Sequence, residues 1–400
     1  MQSLWRFLLA AAMISLAAPA RSEDMAARGK YLAIVGDCGG CHADGNGAPF
    51  IGGLPFTAAY GTIYSPNITP DKATGIGNWT ADQFYRAMHD GIRADGAPLY
   101  PAFPFVYFTH VSRADSDAIF AYLKTLKPVH SQPPRNRLLF PFNIRALMWF
   151  WDAMFFDRKP YRAAPAKSAQ WNRGDYIVNG FGHCAACHTP KNILFGDKAN
   201  KALAGETEEG WFSANLNGNT RDGLGKWSVS DIVQYLKIGR NRYASAAGTM
   251  QEKVTASTSR MNDADLNAIA VYLKSLRPIA EKSPAAPNAR AMQAGQTVFV
   301  EDCSACHMSA EAPHDYPQLA GGTLVMGRDP ETVIRIILQG AESAVTKNAK
   351  TTFSMPSFEA LSDEEVADVA TYIRNAWGNR ASPVSPAQVS RLRKELLTEN

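Results

Sequence analysis

Read from the amino terminus, apolar positions first run from Phe7 to Ala18, behind Arg6 and ahead of the small-residue ending Ala18-Pro19-Ala20. A charged start, an apolar middle and a small-residue end form the layout of a secretory signal, so residues 1–20 are expected to be cleaved after Ala20. The apolar stretch is well short of the ~20 residues a spanning helix needs. Farther along, a helical period recurs three times, in Ala118-Ile-Phe-Ala-Tyr-Leu123, Ala268-Ile-Ala-Val-Tyr-Leu273 and Val369-Ala-Thr-Tyr-Ile373. Aromatic and aliphatic residues three and four apart give each segment one apolar face. Each is preceded by another helix with its own start signal. Thr80 with Gln83 makes a capping box, Ser228 with Asp231 a weaker version, and Asp329-Pro330 a cap with a first-turn proline. These three helices end at Gly91, Gly239 and Gly340.

The segments between are related too. Tyr64-Ser-Pro-Asn-Ile68 leads to Gly75-Ile-Gly-Asn-Trp79, and Phe212-Ser-Ala-Asn-Leu216 leads to Gly223-Leu-Gly-Lys-Trp227; asparagine to tryptophan is twelve residues in both. Such self-similarity marks a tandem array. The expectation is an all-α fold of three small helical domains, 21–137, 169–282 and 289–380. Residues 138–168 form a connector with Trp149, Phe150, Trp151, Phe155 and Phe156. Its aromatic residues either pack on neighbouring domains or meet a membrane interface or partner subunit. The stretch 283–288, rich in proline and alanine, reads as a linker, and 381–400 as a proline-broken, charged tail.

Composition narrows the class. The 400 residues suffice for two to four domains at roughly 100 to 200 each, and 46% hydrophobic with 20% charged residues is ordinary globular usage. A net charge of +4 without a basic run makes nucleic acid an unexpected partner. A mean hydropathy of −0.21 argues against a polytopic membrane protein. The decisive number is six cysteines, because all six fall in Cys38-Gly-Gly-Cys41-His42, Cys184-Ala-Ala-Cys187-His188 and Cys303-Ser-Ala-Cys306-His307.

Each C-x-x-C-H is the attachment pattern of a c-type haem. One helical turn sets two thiols under the two vinyl groups, and the adjacent imidazole reaches the iron from the proximal side. Disulfides fit poorly, since a two-residue loop closes little chain. Zinc fits poorly because the motifs lie 146 and 119 residues apart and each brings its own histidine. Three covalently bound haem c groups follow, with His42, His188 and His307 as proximal ligands. A haem would also supply buried apolar surface that so short a helical domain otherwise lacks.

An electron-transfer haem ordinarily has both axial positions filled, and methionine opposite histidine raises the potential. Met355 lies fifteen residues past Gly340 and Met250 eleven past Gly239, with Met261 as its competitor. In the first domain the equivalent loop, Leu99-Tyr-Pro-Ala-Phe-Pro104, offers Phe103, which cannot bind iron. Met88, three residues before Gly91, is one candidate and also reads as a packing residue; His89, His110 or an open position are the alternatives. His130, His183 and His314 read as surface or local hydrogen-bonding residues.

The three motifs, with Gly61-Thr-Ile-Tyr-Ser-Pro-Asn-Ile-Thr-Pro-Asp71, Leu99–Pro104, Trp171-Asn-Arg-Gly174 and Met355-Pro-Ser-Phe358, resemble the triple-haem cytochrome c subunits of bacterial periplasmic dehydrogenases. The resemblance covers nearly the whole mature chain. It implies three cytochrome c-like domains, Met250 and Met355 as distal ligands, and a catalytic partner of flavin, quinoprotein or molybdenum type. It also implies ubiquinone or another respiratory acceptor, and a periplasmic site at the outer face of the cytoplasmic membrane with peripheral membrane contact. Phe103 departs from the alcohol dehydrogenase type, which has methionine in that loop, and so counts against that partner. The competing readings are a free periplasmic multihaem shuttle and a haem enzyme using an open site in the first domain. No catalytic residues are expected in the chain itself, since it shows no nucleophile–base pair and no phosphate-binding glycine loop.

Overall fold

The computed structural model describes residues 17–208, 210–279, 282–307 and 316–399. The expected export signal falls mostly on residues 1–16 and His314 on 308–315, outside the described residues. The chain divides into two compact units, one of 1–162 with 180–183, the other of 163–179 with 184–400.

Both units are built on one kind of helix crossing. In the first, Ala17–Val35 packs on Arg113–Thr125; in the second, Ala169–Tyr176 packs on Asp263–Lys274 and Ala289–Val298 on Asp363–Asn375. A glycine sits at each crossing. A Cβ on Gly29 would stand 1.8 Å from the Ala118 carbonyl oxygen, one on Gly174 2.0 Å from that of Ala268, and one on Gly295 2.0 Å from that of Asp368. The same Cβ atoms would press on Tyr122, Tyr272 and Tyr372 at 2.9, 2.7 and 2.8 Å. Any side chain would force the helices apart. Two crossings carry a further lock, for Arg28 Nε donates to Asp115 at 2.9 Å, and Arg173 grips Asp265 through Nε and Nη2 at 2.7 and 2.8 Å.

The first two expected start signals hold; in the third Pro330 is itself the N-cap and Asp329 precedes it. Thr80 and Ser228 make capping boxes with Gln83 and Asp231, and the Glu331 N–H donates to Asp329 Oδ1 at 3.0 Å. Gly91 and Gly239 end their helices in the left-handed region at φ 66° and 77°. The closing helices are capped by Ser112, Asn262 and Ser362.

Two features differ from the sequence expectation. The fold is helix-rich but contains short antiparallel sheets: Pro55–Ala58 with Gly61–Tyr64 and Arg137–Leu138, Glu206–Glu208 with Trp211–Ser213, and Ala341–Glu342 with Ser354–Met355. Strands of two to four residues are too short to show a period. The expected charged tail is instead a helix, Pro386–Glu399, whose Val389, Leu392 and Leu396 are buried in the cluster holding Phe299, Ile334 and Val366. Charges mask an i, i+3, i+7 apolar stripe there, and Pro386 opens the helix rather than breaking it. The buried Arg374 ties this region together by donating to the carbonyls of Val325, Gly327 and Ser382 at 2.8, 2.9 and 3.2 Å.

The last two motifs lie in one compact unit, and polar bridges join their surroundings. The Phe212 N–H donates to Thr332 Oγ1 at 2.7 Å, Trp227 Nε1 to Thr323 Oγ1 at 3.0 Å and Arg335 Nε to the Gly210 carbonyl at 2.8 Å. Arg240 also lies over the Phe353 ring at 4.8 Å.

The connector is part of the first unit's core. Met148 and Trp151, on helix Met148–Phe155, are buried with Phe105, and Phe103, Phe155 and Phe156 pack around them. Asp152 is buried in this helix with neither carboxylate oxygen hydrogen-bonded, and loss of solvent raises its pKa to about 6 against a weak opposing pull from Arg158.

The crossings predict a simple result. Gly174→Ala should destabilise the holoprotein by about 2–3 kcal/mol in thermal unfolding followed by circular dichroism. Gly45→Ala, where a Cβ meets nothing within 4 Å, should stay within about 0.5 kcal/mol. Equal effects at the two positions would refute the close-approach argument.

Candidate haem sites

Each motif lies on or beside a short helical turn that follows the crossing helix, in the second and third cases after a π-helical segment, Ile177–Phe181 or Phe299–Cys303. Cys38–Cys41 is one turn, with Asp37 before it in the left-handed region at φ 55°; Ala185–His188 and Ser304–His307 are the others. The six thiols form no disulfides. Burial pushes the Cys184 thiol up, and that of Cys303 to about 11, so both are neutral thiols. Among the described residues no three His, Cys, Asp or Glu side chains converge as a chelating metal group would require.

The histidines are held from behind. His42 Nδ1 lies 2.8 Å from the Pro66 carbonyl oxygen, and His188 Nδ1 lies 2.6 Å from that of Ala214. A carbonyl only accepts, so Nδ1 carries the proton and Nε2 keeps its lone pair for a metal. Burial is the larger influence on both rings and lowers their pKa below the ordinary histidine value, the carbonyl partly opposing it. Neutral imidazole is the form that binds iron. In the third motif the corresponding carbonyl is that of Pro317, which acts on His307 in the same sense against the same lowering by burial. There His307 Nδ1 reaches no hydrogen bond of ordinary geometry among the described residues.

The supporting loop repeats as well. The His42 carbonyl accepts from Gly52 N at 2.8 Å and the His188 carbonyl from Gly205 N at 2.8 Å. Gly52, at φ 73°, lies so close to the Pro66 backbone that a Cβ would stand 2.4 Å from its carbonyl carbon. Directly after the accepting carbonyls come Asn67 and Asn215, both buried. Asn67 Nδ2 donates to the Val129 carbonyl at 2.8 Å and Thr74 Oγ1 at 3.0 Å, and its Oδ1 accepts from Thr69 N at 2.9 Å. Asn215 Oδ1 accepts from Asn217 N at 2.9 Å. The repeated asparagine of the sequence thus fixes the strand end that orients each ring. Sequence reasoning saw the asparagine and missed the carbonyl, because a main-chain acceptor leaves no residue signature.

The sulfur candidates occupy three settings. Met355 is half-buried on the short strand paired with Ala341, against the same apolar cluster that borders Cys303. Met250 opens the helix Thr249–Ala256 behind Gly248 and packs against Ala246, Val254 and Ala344, while its competitor Met261 is buried. Met88 is buried on Ala81–Asp90, where Ser116 Oγ donates to its Sδ at 3.8 Å. His89 turns to Asp90 at 2.8 Å and stacks on Tyr85, and His130 is exposed and faces Asp71 at 3.6 Å.

These donor sets fit haem c. Paired thiols lie one turn apart, next to a neutral imidazole whose Nδ1 is occupied in two of three cases, and sulfur donors lie elsewhere in the same units.

Comparison with known proteins agrees. The cytochrome c family model matches residues 173–277 and 292–377. The gluconate 2-dehydrogenase cytochrome c subunit of Pantoea cypripedii is 37% identical, the match covering 98% of this chain and 96% of that protein. The fructose dehydrogenase cytochrome subunit of Gluconobacter japonicus is 36% identical over 92% of this chain and 82% of its own length. A nicotinate dehydrogenase subunit of Pseudomonas putida is 38% identical over 92% of this chain, which spans about a third of that longer protein, the match covering 32% of it.

The supporting loop yields a prediction. Asn67→Ala should destabilise the protein by about 2 kcal/mol in urea unfolding through loss of its buried hydrogen bonds. The exposed Asn46→Ala should change it by no more than about 0.5 kcal/mol. Unchanged stability in Asn67→Ala would mean that the His42-bearing loop is held by something else.

Proposed function

The chain belongs to the family of dehydrogenase cytochrome c subunits, and we propose that it carries electrons from a periplasmic dehydrogenase catalytic subunit to ubiquinone or another respiratory acceptor. The supporting observation is the repeated device of paired thiols beside a histidine, built on the same glycine crossing three times. On this reading the chain has three cytochrome c domains, 21–137, 169–282 and 289–380, and holds three haem c groups. Haem c, when bound, supplies reversible one-electron iron chemistry. The chain's residues do the rest. Cys38, Cys41, Cys184, Cys187, Cys303 and Cys306 form the thioether links, His42, His188 and His307 are the proximal ligands, and Met250 and Met355 are the distal ones.

Met88 is assigned as the distal ligand of the first domain. It is a buried sulfur on the helix position that Ile337 holds in the third domain, and Phe103 offers no donor. Residues 1–20 direct export, and the protein works at the outer face of the cytoplasmic membrane. The catalytic partner is a flavin, quinoprotein or molybdenum dehydrogenase, the range spanned by the family.

Two experiments test this reading. Affinity purification of the tagged protein from detergent-solubilised host membranes and periplasm should bring down a catalytic subunit in fixed ratio, its cofactor naming the substrate class. Emergence of the protein alone from the soluble fraction would favour a free shuttle. Met88→Leu should remove about one third of the sulfur-to-iron absorption of the oxidised protein. Its retention in full would return Met88 to a packing role.

A further inference from the structure

The connector helix Met148–Phe155 is apolar on both sides, which a surface helix seldom is. Its inner face is accounted for by the Phe105 cluster. Its outer face is not: Leu147, Phe150 and Met154, at i, i+3 and i+7, are 38%, 68% and 60% exposed. Trp149 beside them and Leu139 and Phe140 on the approach are exposed as well. Elsewhere the exposed large hydrophobic residues stand singly or as the pair Ile193 and Leu194. An apolar surface so concentrated along one segment marks an interaction site.

The surface is displayed rigidly. Tyr100 Oη donates to the Phe142 carbonyl at 3.0 Å, and Arg145 Nη1 donates to the Pro98 carbonyl at 2.9 Å while its guanidinium lies 4.4 Å from the Tyr100 ring centre. The Leu139 N–H donates to the Tyr60 carbonyl at 3.0 Å.

Charge identifies the occupant. Residues 135–162 contain Arg135, Arg137, Arg145, Arg158, Lys159 and Arg162, against only Asp152 and Asp157. Asp152 is buried on the inner side of the helix with Arg158 3.9 Å from it, and Asp157 pairs with Lys159. Among the described residues Arg135, Arg137 and Arg162 are exposed and make no ion pair. Aromatic and aliphatic side chains flanked in sequence by a strong excess of positive charge match acyl chains beneath anionic headgroups. No helix among the described residues is long and apolar enough to cross a membrane, so contact through this face lies in the interface plane. We propose that the outer face of residues 139–154 docks the protein on an anionic lipid bilayer. This deepens the membrane location proposed above and rests on it.

The test uses the purified holoprotein, free of its catalytic subunit, sedimented with vesicles of phosphatidylglycerol and phosphatidylethanolamine or of phosphatidylcholine alone. Partition should favour the anionic vesicles at least about tenfold and weaken with salt. The double variant Phe150→Ser with Met154→Ser should lower it at least about tenfold, and Arg135→Ser and Arg137→Ser by about fivefold each. Equal partition onto both vesicle types, no binding, or unchanged binding by variants with intact haem spectra would each overturn the proposal. So would a double variant that loses its catalytic subunit while the parent ignores vesicles, since the face would then belong to that protein. The electron-carrier reading is separable: variants that keep their haems and still accept electrons from the catalytic subunit leave it standing, whatever the vesicles show.

Discussion

Three glycines with no room for a side chain govern this structure. At Gly29, Gly174 and Gly295 one helix runs against the backbone of another so closely that the facing carbonyl occupies the space of a Cβ. Eight to ten residues after each glycine the chain reaches the first motif cysteine. The crossing therefore sets where the thiols and histidine stand relative to the closing helix. At the first two crossings an arginine just before the glycine, Arg28 or Arg173, holds an acid in the first turn of the closing helix, Asp115 or Asp265. The third lacks that arginine, and its corresponding acid, Glu365, closes a capping box with Ser362 instead.

The second constraint acts on the imidazole. A ring that donates Nδ1–H to a backbone carbonyl is fixed in tautomer and direction at once. His42 and His188 get this from Pro66 and Ala214, and each carbonyl is steadied by a buried asparagine that follows it. The third motif, with Gln318 after Pro317, has the carbonyl near but no hydrogen bond to the ring among the described residues. The three motifs thus share a plan and differ in how firmly the histidine ring is gripped. The candidate sulfur donors differ in setting too, with Met355 on a strand, Met250 near a helix start and Met88 inside a helix pair.

What the sequence disclosed follows from this physics. Motif, cap and helix-end glycine are local patterns, so Thr80, Ser228, Gly91 and Gly239 could be read directly and stand where expected. The asparagine-to-tryptophan repeat was visible, but its purpose was not, because the acceptor it supports is main chain. The helix Pro386–Glu399 was hidden by its charged outer face, and the short sheets by their length. Bridges such as Phe212 to Thr332, which tie the surroundings of the last two motifs together, join residues 120 apart and carry no local signal. The connector was legible as aromatic but not as divided, half given to the first unit's core and half to its surface.

The central claim is that one chain holds three haem c groups, each bound on both axial sides, for carrying electrons. A redox titration of the purified mature protein, followed by optical and electron paramagnetic resonance spectra, tests it most directly. The account predicts three one-electron transitions from three low-spin haems, with no change on adding cyanide. A count other than three, or a high-spin haem that binds cyanide at rest, would contradict it.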